Sequence, residues 1–183
     1  MLLLLGLAVA ADDPRVWLQG ALVGGVGPAA SVSGTGGAAG AIGVALGKHP
    51  DRSLALEVRS REMVASADLR VVGGVYGDLR WPAGAGPYAL IGFAHHHETP
   101  MADAQDHPVA TTLATWSGIN HRTGFEVGAG WDLPAPYTET DLLRRLRPTF
   151  RLAAVVLPGT DGPPVYGLAE LGVSVGVGRL TGP

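Results

Sequence analysis

Residues 121–133 read His-Arg-Thr-Gly-Phe-Glu-Val-Gly-Ala-Gly-Trp-Asp-Leu and alternate without a break. Thr123, Phe125, Val127, Ala129, Trp131 and Leu133 share one parity; Arg122, Gly124, Glu126, Gly128, Gly130 and Asp132 share the other. Successive side chains of a strand point to opposite faces, whereas a helix repeats every 3.6 residues. The segment is therefore a β-strand with one apolar face and one small-or-charged face. Its length of about ten residues, with an aromatic near one end, suits a strand that crosses a bilayer within a barrel.

Seven further segments carry the same period. They are expected at residues 16–23, 39–48, 53–63, 67–81, 88–97, 149–157 and 166–179. The alternation is cleanest in two of them. Leu54, Leu56 and Val58 oppose Glu57, Arg59 and Arg61, and Leu69, Val71, Val75, Leu79 and Trp81 oppose Asp68, Arg70, Tyr76, Asp78 and Arg80. Between strands, residues 24–37 read as a Gly/Ser/Pro/Ala-rich loop, and residues 49–51, 82–87 and 158–164 as turns. Residues 98–120 form the longest irregular connection. Leu142, Leu143 and Leu146 cluster at helical spacing, so residues 139–147 are expected to form a short amphipathic helix. Consecutive strands can all be joined as antiparallel neighbours, and no longer internal repeat is present.

Length and composition narrow the class. A chain of 183 residues is one domain, or one domain plus short appendages. Charged residues are only 16% of it, well under the usual quarter of a soluble domain. A net charge of -3 gives no basic footprint, so nucleic acid is not an expected partner. With no Cys, there is no disulfide framework, thiol nucleophile or Cys-based metal site. Residues 1–10, an apolar run ending Ala8-Val9-Ala10, have the character of a signal-peptide core and cleavage site. Residues 11–183 are then the barrel domain. No stretch offers the roughly 18 unbroken apolar residues of a membrane helix, so membrane entry would be by strands.

The polar parity determines what kind of barrel this is. Soluble barrels keep an apolar interior, but here the almost uninterrupted Leu/Val/Ile/Phe/Trp face is read as the outer one, with a soluble β-barrel or sandwich as the alternative. The expected fold is an all-β, eight-stranded, antiparallel, transmembrane up-and-down β-barrel with a polar, charge-plugged interior. Eight strands enclose a space that side chains just fill. Glu57, Asp68, Asp78, Glu126 and Glu170 are expected to pair there with Arg59, Arg61, Arg70, Arg80, Arg122 and Arg151. Near-balance is needed, because an unpaired charge in such a site costs several kcal/mol. Arg suits the plug because its planar fork can bond two carboxylates.

This pattern, over residues 15–179, resembles the small eight-stranded outer-membrane barrels of Gram-negative bacteria, of the OmpA/OmpX type. The resemblance implies export and a place in the cell outer membrane, with the N-terminus in the periplasm and the loops after odd-numbered strands outside. It implies outer-membrane lipid and lipopolysaccharide as surroundings, the barrel assembly machinery as a partner, and a monomer. The barrel is porin-like in kind, but an open wide pore is not expected, because eight strands leave no room for one without losing side chains.

Five histidines lie between positions 95 and 121. His95-His96-His97 closes the fifth strand and His121 opens the sixth. If those strands pair, His95, His97 and His121 meet on the apolar-parity face while His96 points inward. Such a set could bind zinc or copper, with Asp103, Asp106 and His107 as further donors. The plainer reading is an interfacial strand end; apart from that metal, no cofactor is expected. His97-Glu98-Thr99 also resembles the His-x-Ser-Asn motif of outer-membrane lipid A deacylases, with Thr for Ser and Pro100 for Asn. Glu126 and Arg122 read as plug charges before they read as an acid/base pair. Gly34-Thr35-Gly36-Gly37 lacks the Lys and the strand-helix setting of a phosphate loop. The expected function is structural or loop-mediated binding by a non-enzymatic barrel. The alternatives are a lipid-modifying enzyme, a narrow channel and a metal-binding barrel.

Overall fold

The structure, a computed structural model, describes residues 16–26, 34–65, 69–112, 115–134, 143, 145–159 and 165–178. Eight antiparallel strands run in sequence order: β1 (Val16–Val26), β2 (Gly34–Ala45), β3 (Ala55–Ala65), β4 (Arg70–Trp81), β5 (Gly86–Pro100), β6 (Asn120–Asp132), β7 (Leu146–Val156) and β8 (Val165–Gly178). Each pairs with the next, and β1 also pairs with β8 along its length, so the sheet closes on itself. Closure leaves no edge strand, which a sheet in lipid cannot tolerate.

The faces are inverted relative to a water-soluble protein. Arg59 and Arg61 are 0% exposed, whereas Leu22 on the outer wall is 73% exposed. Leu79, Ile91 and Val127 form one exposed row across β4, β5 and β6. Near the end where β1 begins and β8 finishes, Trp81, Trp131 and Phe150 are also exposed, and the last two are cross-strand partners. A continuous apolar surface of this kind is stable against lipid and not against water. We refer to that end as the terminal end. It carries the one-turn 3-10 helix Pro50–Arg52 and the short turn between β4 and β5.

At the opposite end, β5 is longer than the alternation suggests, and it feeds two short helices, α1 (Met101–Asp106) and α2 (Pro108–Thr112). The α1 helix packs on β4 and β5, and Met101 N–H donates to the Leu69 carbonyl at 2.7 Å. The expected irregular span 98–120 therefore contains the last residues of β5, this helical excursion and the first residue of β6.

Three other local expectations need correction. Residues 34–37, expected in a loop, belong to β2 and pair with β3 and β1. Gly and Ala carry no contrast between faces, so their alternation is silent in the sequence. Leu69, expected on the apolar face of β4, sits in the turn before it with φ +49°. Leu146 and Arg147, expected to end a helix, instead begin β7 opposite Val175 and Ser174. The rest of that expected helix lies almost wholly outside the described residues, as do the expected signal segment and Asp68.

Candidate functional site

Alternation sends the charged residues of β3, β4, β6, β7 and β8 into the lumen, and register decides who meets whom. Glu57, Asp78 and Glu126 fall in one cross-strand row over β3 to β6, with Gly92 as the β5 member. Like charges in one row repel. Arg151, reaching across from β7, resolves this by donating to Glu57 at 2.7 Å, to Asp78 at 2.5 Å and to Glu126. Arg59 joins Glu57 to Glu170, each at 2.6 Å. Arg61 joins Glu170, at 2.6 Å, to Glu126, which it grips with both terminal nitrogens. The result is a closed ring, Glu57–Arg59–Glu170–Arg61–Glu126–Arg151, with Asp78 attached to Arg151. Gln19 extends it by accepting from Arg59 at 2.9 Å and donating to Thr149 at 2.8 Å. The Arg61 guanidinium also lies 4.1 Å from the centre of the Tyr76 ring. Every ring member is 2% exposed or less.

A second cluster plugs the terminal end. Arg80 pairs with Asp132 at 2.7 Å, donates to the carbonyls of Pro82 and Gly84, and stacks on Tyr88 at 3.8 Å. Trp17 packs beside it and directs its indole N–H toward Glu57 at 3.4 Å. The indole lies against Gly43, where a Cβ would collide with its ring. A third cluster lies toward the excursion end. Glu98 accepts from the Tyr166 hydroxyl at 2.6 Å and faces His96 at 3.1 Å. Arg122, 3.9 Å from Glu98, donates to the Leu157 carbonyl at 2.7 Å.

Of the expected plug residues, Glu57, Arg59, Arg61, Asp78, Arg80, Arg122, Glu126, Arg151 and Glu170 are thus buried in the lumen. Arg70 is not: its side chain is 42% exposed and comes within 3.9 Å of Glu98, because it begins β4 at the barrel rim. Glu98, Asp132 and Arg147 are buried too, although the sequence pattern did not single them out. Asp132 was legible, since it shares the parity of Glu126. Arg147 was hidden by the apparent helical spacing of its neighbours. Among the described residues the buried set then holds Glu57, Asp78, Glu98, Glu126, Asp132 and Glu170 against Arg59, Arg61, Arg80, Arg122, Arg147 and Arg151, which balance.

The sequence of the outward histidines is set by the pairing of β5 with β6. His97 lies directly opposite His121, and His95 is diagonal to it. His121 Nδ1 and His95 Nε2 are 3.2 Å apart, with ring centres 5.2 Å apart. His97 turns the other way, over Gly73, to bring its Nε2 3.5 Å from Glu62 on β3. Gly73 makes this possible, since a Cβ there would clash with both side chains. The structure therefore brings together two of the three expected ligands, and among the described residues no three His, Asp or Glu side chains converge as a metal cage. His107, expected as a further donor, packs its ring at a tilt against Trp116, with ring centres 4.6 Å apart.

No family model matches this chain, and no curated protein sequence matches it. Solved structures do match by fold. The N-terminal β-barrel domain of OprF from Pseudomonas aeruginosa is 18% identical, with a TM-score of 0.51, covering 90% of this chain and 98% of that one. Neisserial surface protein A (NspA) is 10% identical, with a TM-score of 0.52, covering 91% and 100%. This chain has the fold of the small outer-membrane barrels. The resemblance drawn from strand period alone holds for the OprF and NspA barrels as architecture.

Proposed function

We propose that this protein is an outer-membrane barrel with a structural or surface-binding role, whose lumen passes no solute of any size. The ring Glu57–Arg59–Glu170–Arg61–Glu126–Arg151 carries this reading: it crosses the lumen, is fully desolvated, and has each guanidinium held by two or more carboxylates. A barrel sealed at mid-height can act only through its ends and its wall. Here the elaborated end is that of the β5–β6 excursion. In this reading the terminal end faces the periplasm and the excursion faces outward, where α1, α2 and the neighbouring connections meet a partner. The apolar belt, the inverted interior and the OprF and NspA folds all support placement in the outer membrane after export.

Liposomes containing the refolded protein test the seal. They are expected to exclude small sugars as well as protein-free liposomes do; swelling at porin-like rates would overturn the proposal. Fractionation completes the test, with the protein expected in the outer-membrane fraction and migrating faster on gels before heating than after.

One observation favours a second reading, a lipid-modifying enzyme. His97, paired with Glu62, shares the outer face of β5 with Thr99, whose buried hydroxyl makes no hydrogen bond among the described residues. Acyl transfer from lipid to water would need His97 as base and Thr99 as nucleophile. Mass profiles of lipid A from cells with and without the protein decide this, and identical profiles end it.

A further inference from the structure

The outer wall is apolar except near the excursion end, where Ser60, Glu62, His95, His97, His121 and Thr123 replace the Leu/Val/Phe pattern. Two of these side chains face one another. We propose that His95 and His121 form a two-histidine chelate for a divalent transition metal ion, Cu(II) above all.

Geometry carries the proposal. Two metal–imidazole bonds of about 2.0–2.1 Å place their nitrogens about 2.9 Å apart at a right angle and about 3.4 Å apart at the tetrahedral angle. His121 Nδ1 and His95 Nε2 are 3.2 Å apart, within that interval. Both residues stand on paired strands of a closed sheet, where the diagonal register fixes their separation without any loop. Sites on strands are held more tightly than sites on loops.

The pair is also chemically ready. At most one proton can lie between the two facing nitrogens, so one of them already presents a lone pair. A shift of that proton to the other nitrogen of the same ring frees the second lone pair, and no net proton need leave. His121 is exposed and His95 half-buried, so water can fill the remaining coordination positions. Imidazole donors suit Cu(II), Ni(II) and Zn(II), and Cu(II) binds a given nitrogen site most tightly of the divalent first-row ions. His97 stays outside the site, because its ring lies over Gly73, with Nε2 3.5 Å from Glu62.

The test is a Cu(II) titration of the full chain folded in detergent micelles, followed by electron paramagnetic resonance. One tightly held ion with hyperfine structure from two imidazole nitrogens is expected. His95→Ala and His121→Ala should each weaken binding by about tenfold or more, since even losing a group that only orients a ligand costs 10–100-fold. His97→Ala should leave affinity unchanged. Acidification should release the ion, because protons compete for the same lone pairs. Equal uptake by wild type and the His95→Ala/His121→Ala double variant would overturn the proposal, as would an equal loss in His97→Ala. Heat-modifiable gel mobility verifies that each variant is folded, with His121→Asn as the substitute should His121→Ala fail to fold.

Discussion

Arg151 is the residue on which the lumen depends most. It bridges three carboxylates, Glu57, Asp78 and Glu126, that register has placed in one row. Breaking a buried pair by removing one partner costs about 3–5 kcal/mol, and Arg151→Met strips a partner from three. The unfolding free energy in urea should fall by at least that amount, and a fall below about 1 kcal/mol would contradict the role. Arg151→Lys should not rescue it, since one ammonium cannot span three carboxylates as a planar guanidinium does. Gly43 makes a smaller, steric test. Gly43→Ala sets a methyl group into the Trp17 indole, and overpacking of this kind costs about 1–3 kcal/mol, read as a lower urea midpoint. The charges of the plug were legible one by one, because each shares the inward parity of its strand. Their partners were not. That Arg59 meets Glu170 across 111 positions follows from barrel closure, and no local pattern encodes it.

The strands themselves were legible wherever their two faces meet different surroundings, as in β3, β4 and β6. They were obscure where both faces are small, as at the start of β2, and where a strand begins in a leucine cluster, as in β7. The outward face of β6 can be tested by charge. Val127 stands in the exposed row with Leu79 and Ile91, so Val127→Arg should cost about 2–4 kcal/mol, the penalty for arginine at the middle of a barrel's lipid face. The check is urea unfolding in lipid vesicles, and an unchanged free energy would mean that this face does not meet hydrocarbon. The β5–β6 excursion should behave oppositely. It contributes helices and no strand pairing, so replacing residues 101–119 by a short Gly/Ser linker should preserve heat-modifiable mobility. Loss of the folded band would show that α1 is part of the wall.

For the molecule as a whole, the proposed seal rests on the ring of arginines and glutamates that crosses the lumen. Planar bilayers containing the wild-type protein should show no steady conductance above baseline, whereas the Arg151→Ala/Glu57→Ala double variant, with its ring opened, should show small discrete steps. Steps of the same size in the wild type would refute the seal. The ring has a further consequence, for assembly. Its members come from β3, β6, β7 and β8, so it completes only when the first and last thirds of the chain face each other in a closed sheet. A strand that slips by one residue exchanges its faces: β7 would then carry Arg151 into the hydrocarbon and Leu152 into the lumen, taking a partner from Glu57, Asp78 and Glu126 at once. Misregistered barrels are therefore penalised on both sides of the wall at once, and the same side chains that close the lumen act as an internal proofreader of strand order.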